Sequence, residues 1–110
     1  MSAGIFKSSA RRKGDLAGVF EYDGEVGYFY LYDMSRERGK QIVGAIPIIS
    51  GQSSLLEFDI DVRWNNTNNV VGLFIHERLW AVFEQSGQQY GGHYSVTASP
   101  SVPNSIISAF

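Results

Sequence analysis

Two runs of β-forming residues, Ala17–Tyr22 and Gly27–Tyr32, flank Asp23-Gly24. Asp-Gly between β-formers is a strong short-range hairpin signal, because the tight turns that match strand twist need positive φ. Further along, Gln41–Ile49 is apolar and β-branched, and Pro47 places its end at a strand terminus or a sheet edge. Leu55–Trp64 alternates: Phe58, Ile60, Val62 and Trp64 on one side, Glu57, Asp59, Asp61 and Arg63 on the other. Asn65–Asn69 is a turn, since asparagine tolerates left-handed backbone and caps its own amides. Val70–Ile75 and Leu79–Phe83 then read as strands joined across His76-Glu77-Arg78. Convincing helical periodicity is absent; Ser105–Phe110 reads as a short helical turn or strand. The pattern predicts a mostly β, single-domain antiparallel meander, a small sandwich or half-barrel of about six to eight strands. The expected core is Val19, Phe29, Leu31, Ile42, Val43, Ile46, Phe58, Ile60, Val62, Leu73, Ile75, Ala81 and Phe83.

A length of 110 residues suits one domain. Residues 1–14 are polar and basic and read as a flexible arm, with Ile5 and Phe6 as a docking point; residues 15–110 read as the β-rich domain. The chain lacks cysteine, so disulfides, thiolate metal sites and a cysteine nucleophile are excluded, and a cytoplasmic location is expected. No apolar run approaches a membrane span, and Arg11-Arg12 is not followed by the apolar stretch of a secretion signal. A net charge of −2 argues against bulk attraction to nucleic acid or anionic membrane.

His76 and His93 are too few and too far apart to predict a metal site, and no cofactor is expected. Serines lack a nucleophile-elbow context, and the glycines at 87, 91 and 92 lack the Gly-Lys-Ser/Thr ending of a phosphate loop. Catalytic residues are therefore not assigned. Two surfaces remain. Glu57, Asp59 and Asp61, with Arg63 continuing the row, would lie about 6.5–7 Å apart on one strand face. Such a row is either a solvated face, an acidic ridge for a basic partner, or, less suitably, a calcium site. Tyr28, Tyr30 and Tyr32 share a strand face and, with Trp80, form the alternative: an aromatic platform for a sugar or nucleotide, against the plainer reading of core and cross-strand pairs.

Gly27-Tyr28-Phe29-Tyr30, Ile42-Val43 with Ala45, Val62-Arg63-Trp64, Gly72-Leu73-Phe74-Ile75 and Trp80-Ala81-Val82-Phe83 resemble a family of small bacterial proteins catalogued as a conserved domain of unknown function. The resemblance covers about Gly27–Glu84. Thr67-Asn68 stands where similar sequences carry Asp-Gly, and Phe83-Glu84 where they carry Phe-Asp. The resemblance implies a bacterial origin and no activity. The expectation is a non-enzymatic interaction protein, most concretely an immunity protein. It would neutralise a cognate toxin such as a basic nuclease through Glu57, Asp59, Asp61 and Arg63, by electrostatic complementarity. The alternative is a small ligand-binding module.

Overall fold

The computed structural model describes residues 4–110. Among these residues, eight strands form two four-stranded antiparallel sheets, each a simple meander. The first contains β1 (Ile5–Ala10), β2 (Leu16–Tyr22), β3 (Val26–Asp33) and β4 (Ile42–Ser50). The second contains β5 (Ile60–Trp64), β6 (Val70–Ile75), β7 (Arg78–Glu84) and β8 (Gln89–Gly91). A short helix, α1 (Asn104–Ile107), lies near the C-terminus. The two sheets share one core, so the fold is a β-sandwich.

Local chemistry explains the turns. Asp23 accepts hydrogen bonds from the amides of Glu25 (2.9 Å) and Val26 (2.8 Å), while Gly24 takes φ 98°. This is the hairpin that Asp-Gly predicts. Between β5 and β6, the buried Asn65 accepts from the amides of Asn69 and Val70, and Asn68 adopts φ 58°.

Period-two alternation decides what each sheet buries. On the first sheet, Phe20, Phe29 and Ile46 stand side by side across three strands and are almost wholly buried. On the second, Val62, Leu73 and Ala81 do the same. Glycine is required where the layers approach most closely. A Cβ on Gly18 would stand 2.6 Å from Val71 Cγ2, and one on Gly44 2.6 Å from Phe83 Cε1.

Three sequence expectations are corrected. Residues 5–10 are not an arm: they form β1, paired along its whole length with β2, and Ile5 is buried. Of its six residues only Ile5 is buried, so the apolar alternation is weak, and its backbone is satisfied by β2. Residues 11–14 form the turn into β2, and residues 1–3 of the expected arm lie outside the described residues. Ile42 is half exposed rather than in the core. A register shift between β3 and β4 sets Ile42 opposite Tyr32 on the outer face and leaves Val43 packed against the core. Phe58 is 81% exposed, because Glu57–Asp59 is a 3-10 turn and the alternation begins only at Ile60. The Leu56 amide donates to the Asp59 carboxylate (2.8 Å), which closes the turn with Phe58 at its tip.

Arg11 clasps the two sheets together. Its guanidinium donates to both carboxylate oxygens of Asp15 (2.6 and 2.7 Å), to the Asn68 carbonyl (3.1 Å) and to Gln85 Oε1 (2.8 Å). It also lies 5.8 Å from the centre of the Trp64 ring, whose Nε1 donates to the Ser9 carbonyl (2.8 Å). The Arg11 hydrogen bonds hold the Asp15 carboxyl well below the usual carboxylate range. A carboxyl depressed in the folded state stabilises the fold above its unfolded pKa, and the contribution fades as pH falls toward the folded value. Asp15→Asn is therefore expected to flatten the acid limb of a melting-temperature profile below about pH 5. An unchanged acid limb would show that the clasp does not contribute to stability.

Candidate functional site

The outer faces of the two sheets are treated differently. On the second sheet, Val70, Phe74, Leu79 and Val82 point outward and are nonetheless buried, under Val102 and Ile106 of the C-terminal segment. Phe110 meets Phe74 edge-on at 5.3 Å, and Asn65 Nδ2 donates to the Ala109 carbonyl (3.3 Å). The segment thus works as a cover.

The first sheet has no such cover among the described residues. Tyr28, Tyr30 and Tyr32 project from the outer face of β3, each half-buried. The rings of Tyr28 and Tyr30 stack (5.7 Å between centres, 12° between planes), and Tyr30 meets Tyr32 edge-on at 6.3 Å. Stacked rings lock each other's rotamers, so the row is preorganised. Burial, with Glu21 nearby, raises the Tyr30 hydroxyl above its ordinary pKa, so it stays a neutral donor at physiological pH. Glu21, Val19 and Ala17 flank the row on β2; Pro47, Ala45 and Ile42 flank it on β4. Phe6, 58% exposed, belongs to the same face, opposite Glu21 on β1.

The carboxylates expected to form a ridge are distributed differently. Glu57 and Asp59 belong to the 3-10 turn, so the three acids do not share one strand face. Asp59 caps that turn and lies 3.3 Å from His76 Nε2, while Asp61 pairs with Arg63 at 2.8 Å. The Arg63 guanidinium in turn sits 3.9 Å from the centre of the Phe74 ring. Asp59, Asp61 and Arg63 do converge, with Lys7, His76 and Glu77, on an open cleft of about 670 Å³. Its charges are mixed, and two of its acids are already engaged. Among the described residues, no cluster of three or more His, Asp or Glu side chains gathers that could hold a metal ion.

The cleft is bordered by a strained turn. His76 and Glu77 form the two-residue loop between β6 and β7 with φ 50° and 63°. Both signs are those of a type I′ turn, which favours Asn-Gly. The turn is held by the His76 amide, which donates to the Asp59 carbonyl (2.9 Å). Replacing His76-Glu77 with Asn-Gly is expected to stabilise the chain by about 1 kcal/mol, because positive φ is disfavoured for ordinary side chains. Urea unfolding measures this; destabilisation would show that the His76–Asp59 contact outweighs the strain.

Trp80 does not join the tyrosines. It is buried in the core between the sheets, 4.8 Å from the Tyr94 ring. Its indole nitrogen lacks a hydrogen-bond acceptor among the described residues. The four aromatic candidates therefore split into an outward row of three and one core residue. The Arg11 clasp and the C-terminal cover escape the sequence reading because their hydrogen bonds across the fold join residues more than forty positions apart. Their sequence signals are weak: Asn65 at the head of an asparagine-rich turn, and apolar residues at 102, 106 and 110.

No helix among the described residues is long and apolar enough to cross a membrane. Comparisons with curated proteins and with solved structures gave no match. One family profile covers residues 2–105, which takes in all eight strands and Val102 of the cover and stops before Ile106 and Phe110. By that match the chain belongs to the family described as "Uncharacterized protein conserved in bacteria (DUF2251)".

Proposed function

We propose that this chain is a non-enzymatic interaction protein that holds another protein on the open outer face of its first sheet, centred on Tyr28, Tyr30 and Tyr32. The contrast between the two outer faces carries this reading: one is sealed by the chain's own C-terminal segment, the other is left open although it presents a preorganised aromatic row. Tyrosine-rich, charge-poor patches are typical of the centres of protein interfaces. A small ligand fits the face less well, because such sites are concave. A notch of about 220 Å³ lies beside Tyr32, at one end of the row.

In its most concrete form this remains the immunity-protein reading, in which a cognate toxin is the partner. Its support shifts from an acidic ridge to the tyrosine row. A photoreactive phenylalanine analogue at Tyr30, expressed in the native bacterial host, is expected to crosslink one protein that the same analogue at Phe58 does not. Tyr28→Ser or Tyr32→Ser should weaken that association by about 2 kcal/mol. Equal crosslinking from both positions, or none from Tyr30, would remove the tyrosine face as the docking surface. Whether a toxin gene adjoins this one, and whether cells expressing that toxin survive with the chain but not without it, tests the immunity form.

A further inference from the structure

The charge of this chain is strongly polarised, which its net value conceals. The β1–β2 turn and the β3–β4 loop meet at one end of the first sheet, where the Met34 amide donates to the Asp15 carbonyl (2.7 Å). Six of the chain's nine cationic residues lie in these two connections: Arg11, Arg12, Lys13, Arg36, Arg38 and Lys40. The acids there are Asp15, Asp33 and Glu37, which leaves this end at +3. The rest of the chain holds three cations and eight acids, hence −5, and the two values restore the net −2.

The cations have separate uses. Arg11 is spent on the clasp, Arg36 pairs with Asp33, and Lys40 lies 3.8 Å from Glu37 with both side chains in solvent. Arg12, Lys13 and Arg38 are exposed and have no ion-pair partner among the described residues. The tyrosine row runs directly into this end. Tyr32, its last member, lines the notch together with Gly39, Gln41 and Ile42, and the notch is flanked in the chain by Arg38 and Lys40. The other end of the row has the opposite sign: Glu21 lies beside Tyr28, and Asp23 and Glu25 occupy the turn beyond it.

We propose that the partner presents an extended polypeptide segment, acidic where it meets Arg12, Lys13 and Arg38, with an apolar side chain seated in the notch beside Tyr32. The proposal rests on the tyrosine-face reading and adds the chemistry and direction of the occupant. Charge complementarity sets that direction, because the acidic end of the segment is attracted to one end of the row and repelled from the other. A single-stranded nucleic acid would meet the same cations, but it is uniformly anionic. Following the row, it would run from Arg38 onto Glu21, Asp23 and Glu25. Its bases would also find the faces of Tyr28 and Tyr30 already stacked on each other. With screening over about 8–10 Å, a segment at the cationic end does not feel the acids beyond Tyr28.

The test uses the full chain and three fluorescein-labelled probes. One is a peptide with a run of glutamates followed by Leu-Ser-Leu, the second its lysine counterpart, and the third an oligothymidylate of equal length. The acidic peptide is expected to bind, to weaken steeply with salt, and to shift the amide resonances of Tyr32 and of residues 38–42. Combined Arg12→Glu, Lys13→Glu and Arg38→Glu should slow its association roughly tenfold or more at low salt. These side chains are exposed and unpaired, so the fold survives their exchange, as an unchanged melting temperature would show. Unchanged binding by the triple variant, tighter binding of the oligothymidylate, or shifts confined to the cleft around His76 would each overturn the proposal. If the triple variant binds normally while Tyr30→Ser does not, the acidic segment is wrong and the tyrosine face stands. If Tyr30→Ser binds normally, the tyrosine face itself fails, and this proposal with it.

Discussion

Phe83→Ala is expected to cost about 3–5 kcal/mol, whereas Phe58→Ala should change stability by no more than about 0.5 kcal/mol. Both residues are phenylalanines in or beside a predicted strand, and both belong to the core that alternation suggests. The difference is their place in the sandwich. Phe83 is fully buried, packs against Phe29 with ring centres 5.3 Å apart, and presses its ring edge into the space that Gly44 leaves open. Truncating it leaves a cavity between the layers and takes away the ring that Phe29 and Gly44 pack against. Phe58 sits at the tip of a 3-10 turn with most of its surface in water. Guanidinium unfolding of the two variants measures the contrast through the shift in midpoint at constant slope. Similar losses in both would show that Phe58 is packed and that the 3-10 turn is misplaced.

Deleting residues 101–110 should have a comparable effect, on the order of 5 kcal/mol. The deletion removes Val102, Ile106 and Phe110, and uncovers Val70, Phe74, Leu79 and Val82 on the outer face of the second sheet. Each fully buried side chain of this size contributes about 1.5–3 kcal/mol, and several are lost or exposed together, in part. That is a large share of the ~5–15 kcal/mol that holds such a domain folded. The same deletion would strip the Ala109 carbonyl from Asn65 Nδ2. The truncated protein should melt at much lower temperature and, with a fresh apolar sheet face in water, should self-associate on light scattering. A truncated chain that stays monomeric with an unchanged melting temperature would mean that the segment does not seal the sheet.

These predictions bear on function because the two outer faces answer each other. If the second face needs its cover for solubility, the open tyrosine face is tolerated without one because hydroxyl groups line it. An aromatic body with a polar tip is stable in water and still able to bury area against a partner. The row was visible in the sequence as Tyr28, Tyr30 and Tyr32 at alternate positions, since period two alone puts them on one face. Phe29 and Leu31, which alternate with them and lack the hydroxyl, are the set expected in the core, and the second sheet, packing on Phe29 and Leu31, leaves the tyrosines outward.

The carboxylates show the reverse case. Their spacing at positions 57, 59 and 61 is that of a strand face, yet only Asp61 lies in a strand. Alternation at positions 57–59 is equally compatible with a turn when a side chain three residues on can cap an amide, as Asp59 caps Leu56. Local hydrogen bonding outweighed the strand period at those positions. For β1 the sequence signal was weak because an edge strand needs only alternate apolar residues and a neighbour's backbone.

What the sequence by itself determined is local: the turns at Asp23-Gly24 and Asn65–Asn69, the strands of both meanders from β2 to β7, and the absence of long helices. Turn chemistry and side-chain period act over a few residues, so a few residues are enough to read them. What only the tertiary structure decided is pairing across the sandwich. The Arg11 clasp, the cover over Phe74 and the meeting of the two cation-bearing connections at one end of the first sheet all join residues distant in the chain. No local propensity encodes such contacts; they exist because two twisted sheets must bury one face each against the other, and that packing settles which surfaces remain for a partner.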